Sequence, residues 1–277
     1  MGILDSNMEK LLEEDLFQLY RKTYPIADYE TDLQLLLLSF AVSGLAGKRQ
    51  FGYLNRRKNM IKALFADFYG TIVHEDGEVI KKITTIICNT GKVQDSHEVG
   101  TFWWNDFQTL FMNSYGDTFE TQRALEEKSL IHTLEHFHSN ADAGKLSEMM
   151  FAHWVKPPIF DDSKSFFEQS PVPIYIVSNI DTSDILQAIA YHDLHPAGVF
   201  TSEDAKSYKP RTELFELALQ RTGFNKDEII HIGDSVSSDV KGASKVGIRA
   251  LWLNRFGKNV PDGVESISNL IDALSYV

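Results

Sequence analysis

The feature that most narrows the fold is a recurring unit: a short, uninterrupted apolar run that stops at a polar or glycine-containing turn. Four such units stand out: Ala63-Leu-Phe-Ala before Asp67, Ile174-Tyr-Ile-Val before Ser178, Ile229-Ile-His-Ile before Gly233, and Ala250-Leu-Trp-Leu before Asn254. A strand that is apolar on both faces needs cover on both, so these runs read as parallel strands between two helical layers. Between the second and third runs a helical pattern extends from about Thr212 to Thr222, with Leu214, Phe215, Leu217 and Ala218 apolar and Gly223 in the stop position. This strand-helix alternation predicts an α/β fold: a doubly wound parallel sheet with a Rossmann-like core.

The rest of the chain divides around that core. Residues 1–59 read as an N-terminal helical extension, with helix formers in Met8-Glu-Lys-Leu-Leu-Glu-Glu-Asp-Leu-Phe and an apolar cluster from Leu33 to Phe40, followed by the polar linker Arg56-Arg57-Lys58-Asn59. Segments 60–77 and 157–277 form the α/β core, and 78–156, with Phe102-Trp-Trp and few strand runs, reads as an inserted helical cap. A chain of 277 residues that is 43% hydrophobic has room for such a core and a second module. Its net charge of -12 argues against nucleic acid or an anionic membrane as partner. The single cysteine, Cys88, excludes an intramolecular disulfide, reads as a small buried residue, and fits a cytoplasmic protein. The run from Leu33 to Val42 is shorter than the roughly 20 residues a membrane span needs, and acidic residues rather than a basic stretch precede it, so neither a span nor a secretory signal is expected.

Side chains just past the carboxyl ends of parallel strands converge on one crevice. Asp67, Ser178 with Asn179, and Gly233-Asp234-Ser235 should therefore meet, joined by Lys209 from the loop before the Thr212 helix. A carboxylate such as Asp67 can attack phosphorus or carbon and form an ester that water later cleaves. Gly70 permits a tight turn, and Thr71 can donate hydrogen bonds. Ser178 and Asn179 offer neutral donors to the oxygens of a transferring group, and Lys209 adds positive charge. Asp234, backed by Asp239, is a hard oxygen ligand suited to Mg²⁺. Singly, each of these residues could be a turn former, a helix cap or a solvated charge; their order and shared strand-end placement favour a site. His231 reads as a satisfied core residue, His132, His136 and His138 as surface residues, and Trp103 and Trp104 as cap core.

Asp67-Phe-Tyr-Gly-Thr71, Ser178-Asn179, Lys209-Pro210 and Gly233-Asp-Ser-Val-Ser-Ser-Asp239 resemble the four ordered motifs of the haloacid dehalogenase-like superfamily, over roughly residues 61–256. The resemblance implies a hydrolase with Asp67 as nucleophile, Mg²⁺ held by Asp67, Asp234, Asp239 and the backbone carbonyl of Tyr69, and Ser178 and Lys209 on the phosphoryl group. Phosphatases of that family usually place a second aspartate where Tyr69 stands; His74 or Glu75 at the cap entrance could take its role. The Asp-x-Tyr-Gly-Thr form is similar to the 2-haloacid dehalogenases, which use no metal, lack an acid at the Asp234 position and rely on an early-cap arginine, whereas here the cap holds only Arg123. The expected activity is Mg²⁺-dependent hydrolysis of a small phosphorylated metabolite through an aspartyl-phosphate. The alternatives are 2-haloacid dehalogenation and a weakly active or non-catalytic member that binds a partner.

Overall fold

Strands β1 (Ala63–Ala66), β2 (Ile174–Ser178), β3 (Gly198–Thr201), β4 (Ile229–Gly233), β5 (Arg249–Leu253) and β6 (Ser266–Ile267) form one sheet in the order β3-β2-β1-β4-β5-β6. Every neighbouring pair is parallel. The structure, a computed structural model, describes residues 60–277; the expected extension over 1–59 lies outside the described residues.

The sheet is apolar on both faces for the reason the sequence suggests. All of β1 is buried, with Leu64 and Ala66 in one core layer and Ala63 and Phe65 in the other. In β4, Ile230 and Ile232 join the first layer and Ile229 the second. Helices α5 (Ser163–Gln169), α6 (Thr182–His192) and α10 (Leu270–Ala273) cover the first layer through Phe166, Ile185, Ala188 and Leu270. Helices α8 (Glu213–Thr222) and α9 (Lys241–Lys245) cover the second through Leu214, Phe215, Ala218 and Ala243. Full burial of a Leu, Ile or Phe side chain is worth about 1.5–3 kcal/mol, and the one polar side chain within β1 and β4, His231, meets Asp239 Oδ1 at 3.0 Å. Helix α8 ends at Gly223, whose φ of +74° is left-handed, as its stop position anticipates. A short helix α7 (Ser202–Ala205) follows β3.

Four helices lie between β1 and α5: α1 (Gly77–Thr90), α2 (Ser96–Asn113), α3 (Gln122–His136) and α4 (Ala143–Val155). Asp95, Thr121 and Asp142 start α2, α3 and α4 by accepting a first-turn N–H, a cap worth about 1 kcal/mol. Helix α2 packs on α1 and α3, α3 on α4, and α4 on α6 of the core. Trp103 is buried and donates from Nε1 to Ser129 Oγ at 3.0 Å. Trp104 corrects the expectation of a paired tryptophan core: it is 55% exposed, because a helix turns successive residues about 100° apart. Cys88 is half-buried rather than buried, and His132, His136 and His138 are exposed.

Candidate active site

The strand order reverses at β1, which pairs with β2 on one side and β4 on the other. That switch point opens a crevice at the carboxyl end of the sheet. Ala66 is level with Ile176 and Ile232, so Asp67, Val177 and Gly233 follow at one level along the carboxyl edge of the sheet, with Ser178 and Asp234 the next residues on. The Asp67 N–H donates to the Ile232 carbonyl at 2.9 Å, fixing the start of the turn. Gly70 continues it at φ +85°, a left-handed conformation that strains any other residue, and a Cβ there would lie 2.6 Å from Asp234 Oδ2 and displace that carboxylate. The Thr71 hydroxyl, expected as a donor, accepts the Asp234 N–H at 3.2 Å and ties these loops together.

Lys209 is only 2% exposed, and its ammonium donates to Asp67 Oδ1 at 2.7 Å, Asp239 Oδ1 at 2.6 Å and the Val177 carbonyl at 2.9 Å. Burial alone disfavours its charge, but Asp239 and Asp67 hold it protonated well above the ordinary lysine range. The two carboxylates differ. Asp239 is desolvated, yet Lys209 and His231 keep it well below the usual carboxylate range. Burial raises Asp67, which Lys209 offsets only in part because the charge of Asp239 opposes it. No ammonium among the described residues pairs directly with Asp234, and burial together with Asp67 and Asp239 pushes it up to about 8. Ligand oxygens of Asp67, Asp234 and Asp239 all lie within 4.8 Å of one another, a donor set suited to a hard divalent cation.

Several side chains point elsewhere than the sequence suggested. Asn179, anticipated as a donor to substrate, directs both polar atoms to the Lys209 backbone: Oδ1 accepts the amide at 2.7 Å and Nδ2 donates to the carbonyl at 3.0 Å. The Tyr69 hydroxyl donates to the Trp154 carbonyl at 2.6 Å, at the end of α4, and burial pushes its phenol well above the ordinary range. Asp239 is occupied on both oxygens, by Lys209 and His231 Nε2 on Oδ1 and by the Ser235 N–H on Oδ2. His231 is fully buried as expected but only half satisfied, since Nδ1 has no partner among the described residues. His74 stacks on Phe160 with centroids 3.8 Å apart.

Other contacts carry no sequence signal. Arg123 forms a two-pronged pair with the buried Asp184, Nε to Oδ2 at 2.8 Å and Nη2 to Oδ1 at 2.6 Å. Asp181 accepts the N–H groups of Gln122 and Arg123 at the start of α3. Arg255 grips Asp162 through both Nη atoms and donates to the Thr71 carbonyl at 2.8 Å. The partners are 58 or more residues apart, so no local spacing points to them.

A family model described as haloacid dehalogenase-like hydrolase matches residues 61–247, which contain Asp67, Ser178, Lys209, Asp234 and Asp239. The chain belongs to that family. This haloacid dehalogenase-like hydrolase is 24% identical over 213 residues to (S)-2-haloacid dehalogenase 4A of Burkholderia cepacia, covering 73% of this chain and 86% of that protein. It is 37% identical over 57 residues to pyrimidine 5'-nucleotidase PynA of Streptococcus pneumoniae, a stretch covering 20% of this chain and 24% of the nucleotidase. Among solved structures, the putative HAD-hydrolase YfnB of Bacillus subtilis bound to magnesium superimposes with a TM-score of 0.63 at 19% identity, covering 78% of this chain and 98% of that one. No helix among the described residues of this hydrolase is long and apolar enough to cross a membrane.

Proposed function

We propose that this hydrolase cleaves a small phosphorylated molecule, with Asp67 as nucleophile and Mg²⁺ as cofactor. The observation that carries the reading is Asp234. Asp67 and Asp239 share the ammonium of Lys209, and Asp234 adds a third carboxyl within 4.8 Å of both, so an anionic substrate would meet net negative charge unless a cation joined it. Asp67, Asp234 and the Tyr69 carbonyl would hold the ion, with Asp239 within reach. When bound, it neutralises these carboxylates and the oxygens of the transferring group.

Asp67 then attacks phosphorus and carries the aspartyl-phosphate. Lys209 places its charge where negative charge collects, Ser178 donates to a phosphoryl oxygen, and Asp239 keeps Lys209 in place.

The second reading is 2-haloacid dehalogenation, favoured by Tyr69 and by likeness to the Burkholderia cepacia enzyme. Against it, Arg123 is the one arginine of the stretch 78–156 and is engaged by Asp184.

One experiment separates the two: phosphate and chloride release measured in parallel from phosphate compounds and 2-haloacids, with Mg²⁺ or EDTA, for wild type and Asp67→Asn. Mg²⁺-dependent phosphate release that falls by at least ~10⁴-fold in Asp67→Asn supports the proposal. Chloride release that persists in EDTA, or full activity of Asp67→Asn, overturns it.

A further inference from the structure

Among the described residues the phenol and nitrogen donors beside Asp67 are already committed, and in the phosphoryl-transfer reading Asp234 is committed to the cation. The Tyr69 hydroxyl donates to the Trp154 carbonyl at 2.6 Å, 85 residues away. Lys209 has three N–H donors and uses them on Asp67, Asp239 and the Val177 carbonyl. His231 is fully buried and faces Asp239 rather than the crevice. The Thr71 hydroxyl accepts the Asp234 N–H, and its own proton, an alcohol's, is no easier to give up than that of a leaving alcohol. A departing alkoxide would find no ready acid among these described side chains.

Resting on the phosphoryl-transfer reading of the same site, we infer that the site is suited to substrates whose leaving group departs as a stable anion, acyl phosphates foremost. In the first step an Asp67 oxygen forms a bond to phosphorus, and the bond from phosphorus to the acyl oxygen breaks, its electron pair leaving on the carboxylate. The conjugate acid of such a carboxylate resembles an Asp or Glu side chain, with a pKa of about 4, so no proton is required. An alcohol, nearer the roughly 15.7 of water, does require one, and lack of a positioned acid costs about 10²–10⁴ in rate. The step exchanges one acyl phosphate for another, the aspartyl-phosphate. Water then attacks phosphorus, the bond to Asp67 breaks to restore its carboxylate, and the proton of the water passes to phosphate and solvent.

The test is kcat/KM for phosphate release by the full-length protein with Mg²⁺, after subtraction of the enzyme-free rate. The substrates are acetyl phosphate, a series of aryl phosphates of graded phenol acidity, and glycerol phosphate. Acetyl phosphate should exceed glycerol phosphate by at least ~10²-fold, and the aryl series should fall steeply as the phenol becomes less acidic. Tyr69→Asp should narrow the gap at least ~10-fold by raising glycerol phosphate turnover, whereas Tyr69→Phe should keep the wild-type dependence on leaving group whatever its absolute rate. If Tyr69→Asp does not fold, the wild-type aryl series still decides. Comparable rates for alkyl and acyl phosphates would overturn the inference while leaving the phosphatase reading intact; loss of the alkyl activity in Glu75→Gln would then assign the acid to that rim residue. No Mg²⁺-dependent phosphate release from any compound would overturn both.

Discussion

Asn179 grips Lys209 by its backbone on both sides, accepting the amide N–H at 2.7 Å and donating to the carbonyl at 3.0 Å. The residue after β2 thus sets the loop that carries the ammonium, and the ammonium in turn bridges Asp67 and Asp239.

Asn179→Ala should therefore act through Lys209. A displacement of about 1 Å in a reacting group can cost ~10²-fold, so kcat should fall by about 10–10²-fold, and the two unpaired backbone groups of Lys209 should lower stability by about 1–3 kcal/mol. Steady-state phosphate release and a urea melt check both. Unchanged kcat in a well-folded Asn179→Ala would show that Lys209 holds its position without this support.

The pair of Arg123 and Asp184 fastens α3 to α6, with Arg123 partly exposed and Asp184 fully buried. Removing the guanidinium in Arg123→Ala leaves a buried carboxylate without its partner, at a cost of about 1–3 kcal/mol. The double variant Arg123→Ala with Asp184→Asn should recover part of that loss, since the residual charge is gone. Thermal melts of the two variants, of Asp184→Asn alone and of wild type measure the coupling; simple additivity would mean the pair contributes nothing.

Glu126 gives a pH prediction. Burial, with Asp76 nearby, pushes its carboxyl from 4.5 up to about 8, and its Oε1 has no partner among the described residues. The unfolded chain ionises above about 4.5 while the folded chain keeps the proton until about 8, so stability present at low pH is lost progressively across that window. Glu126→Gln removes the loss: it should match wild type near pH 4 and exceed it by on the order of a few kcal/mol near pH 9. Chemical denaturation at the two values checks this, and equal stability of the two proteins at the higher pH would refute it.

Much of the site is legible in the amino-acid sequence. Asp67, Ser178 and Asp234 are found together because an apolar run on both faces implies a parallel strand, and parallel strands present their carboxyl ends to one crevice. Gly223 closes α8 where the sequence stops the helix. These features follow from local pattern and chain topology, which the sequence by itself determines. Only the tertiary structure decided where the polar atoms turn: Asn179 to the Lys209 backbone, Tyr69 to Trp154, Asp181 and Asp184 to the start of α3, and His231 to Asp239. It also decided that Trp103 is buried and Trp104 exposed. The physical reason is that a buried hydrogen bond is selected by the distance between folded segments, and a helix face by what packs against it. Residues far apart in the chain come to share that space only once the sheet and its inserted helices are assembled.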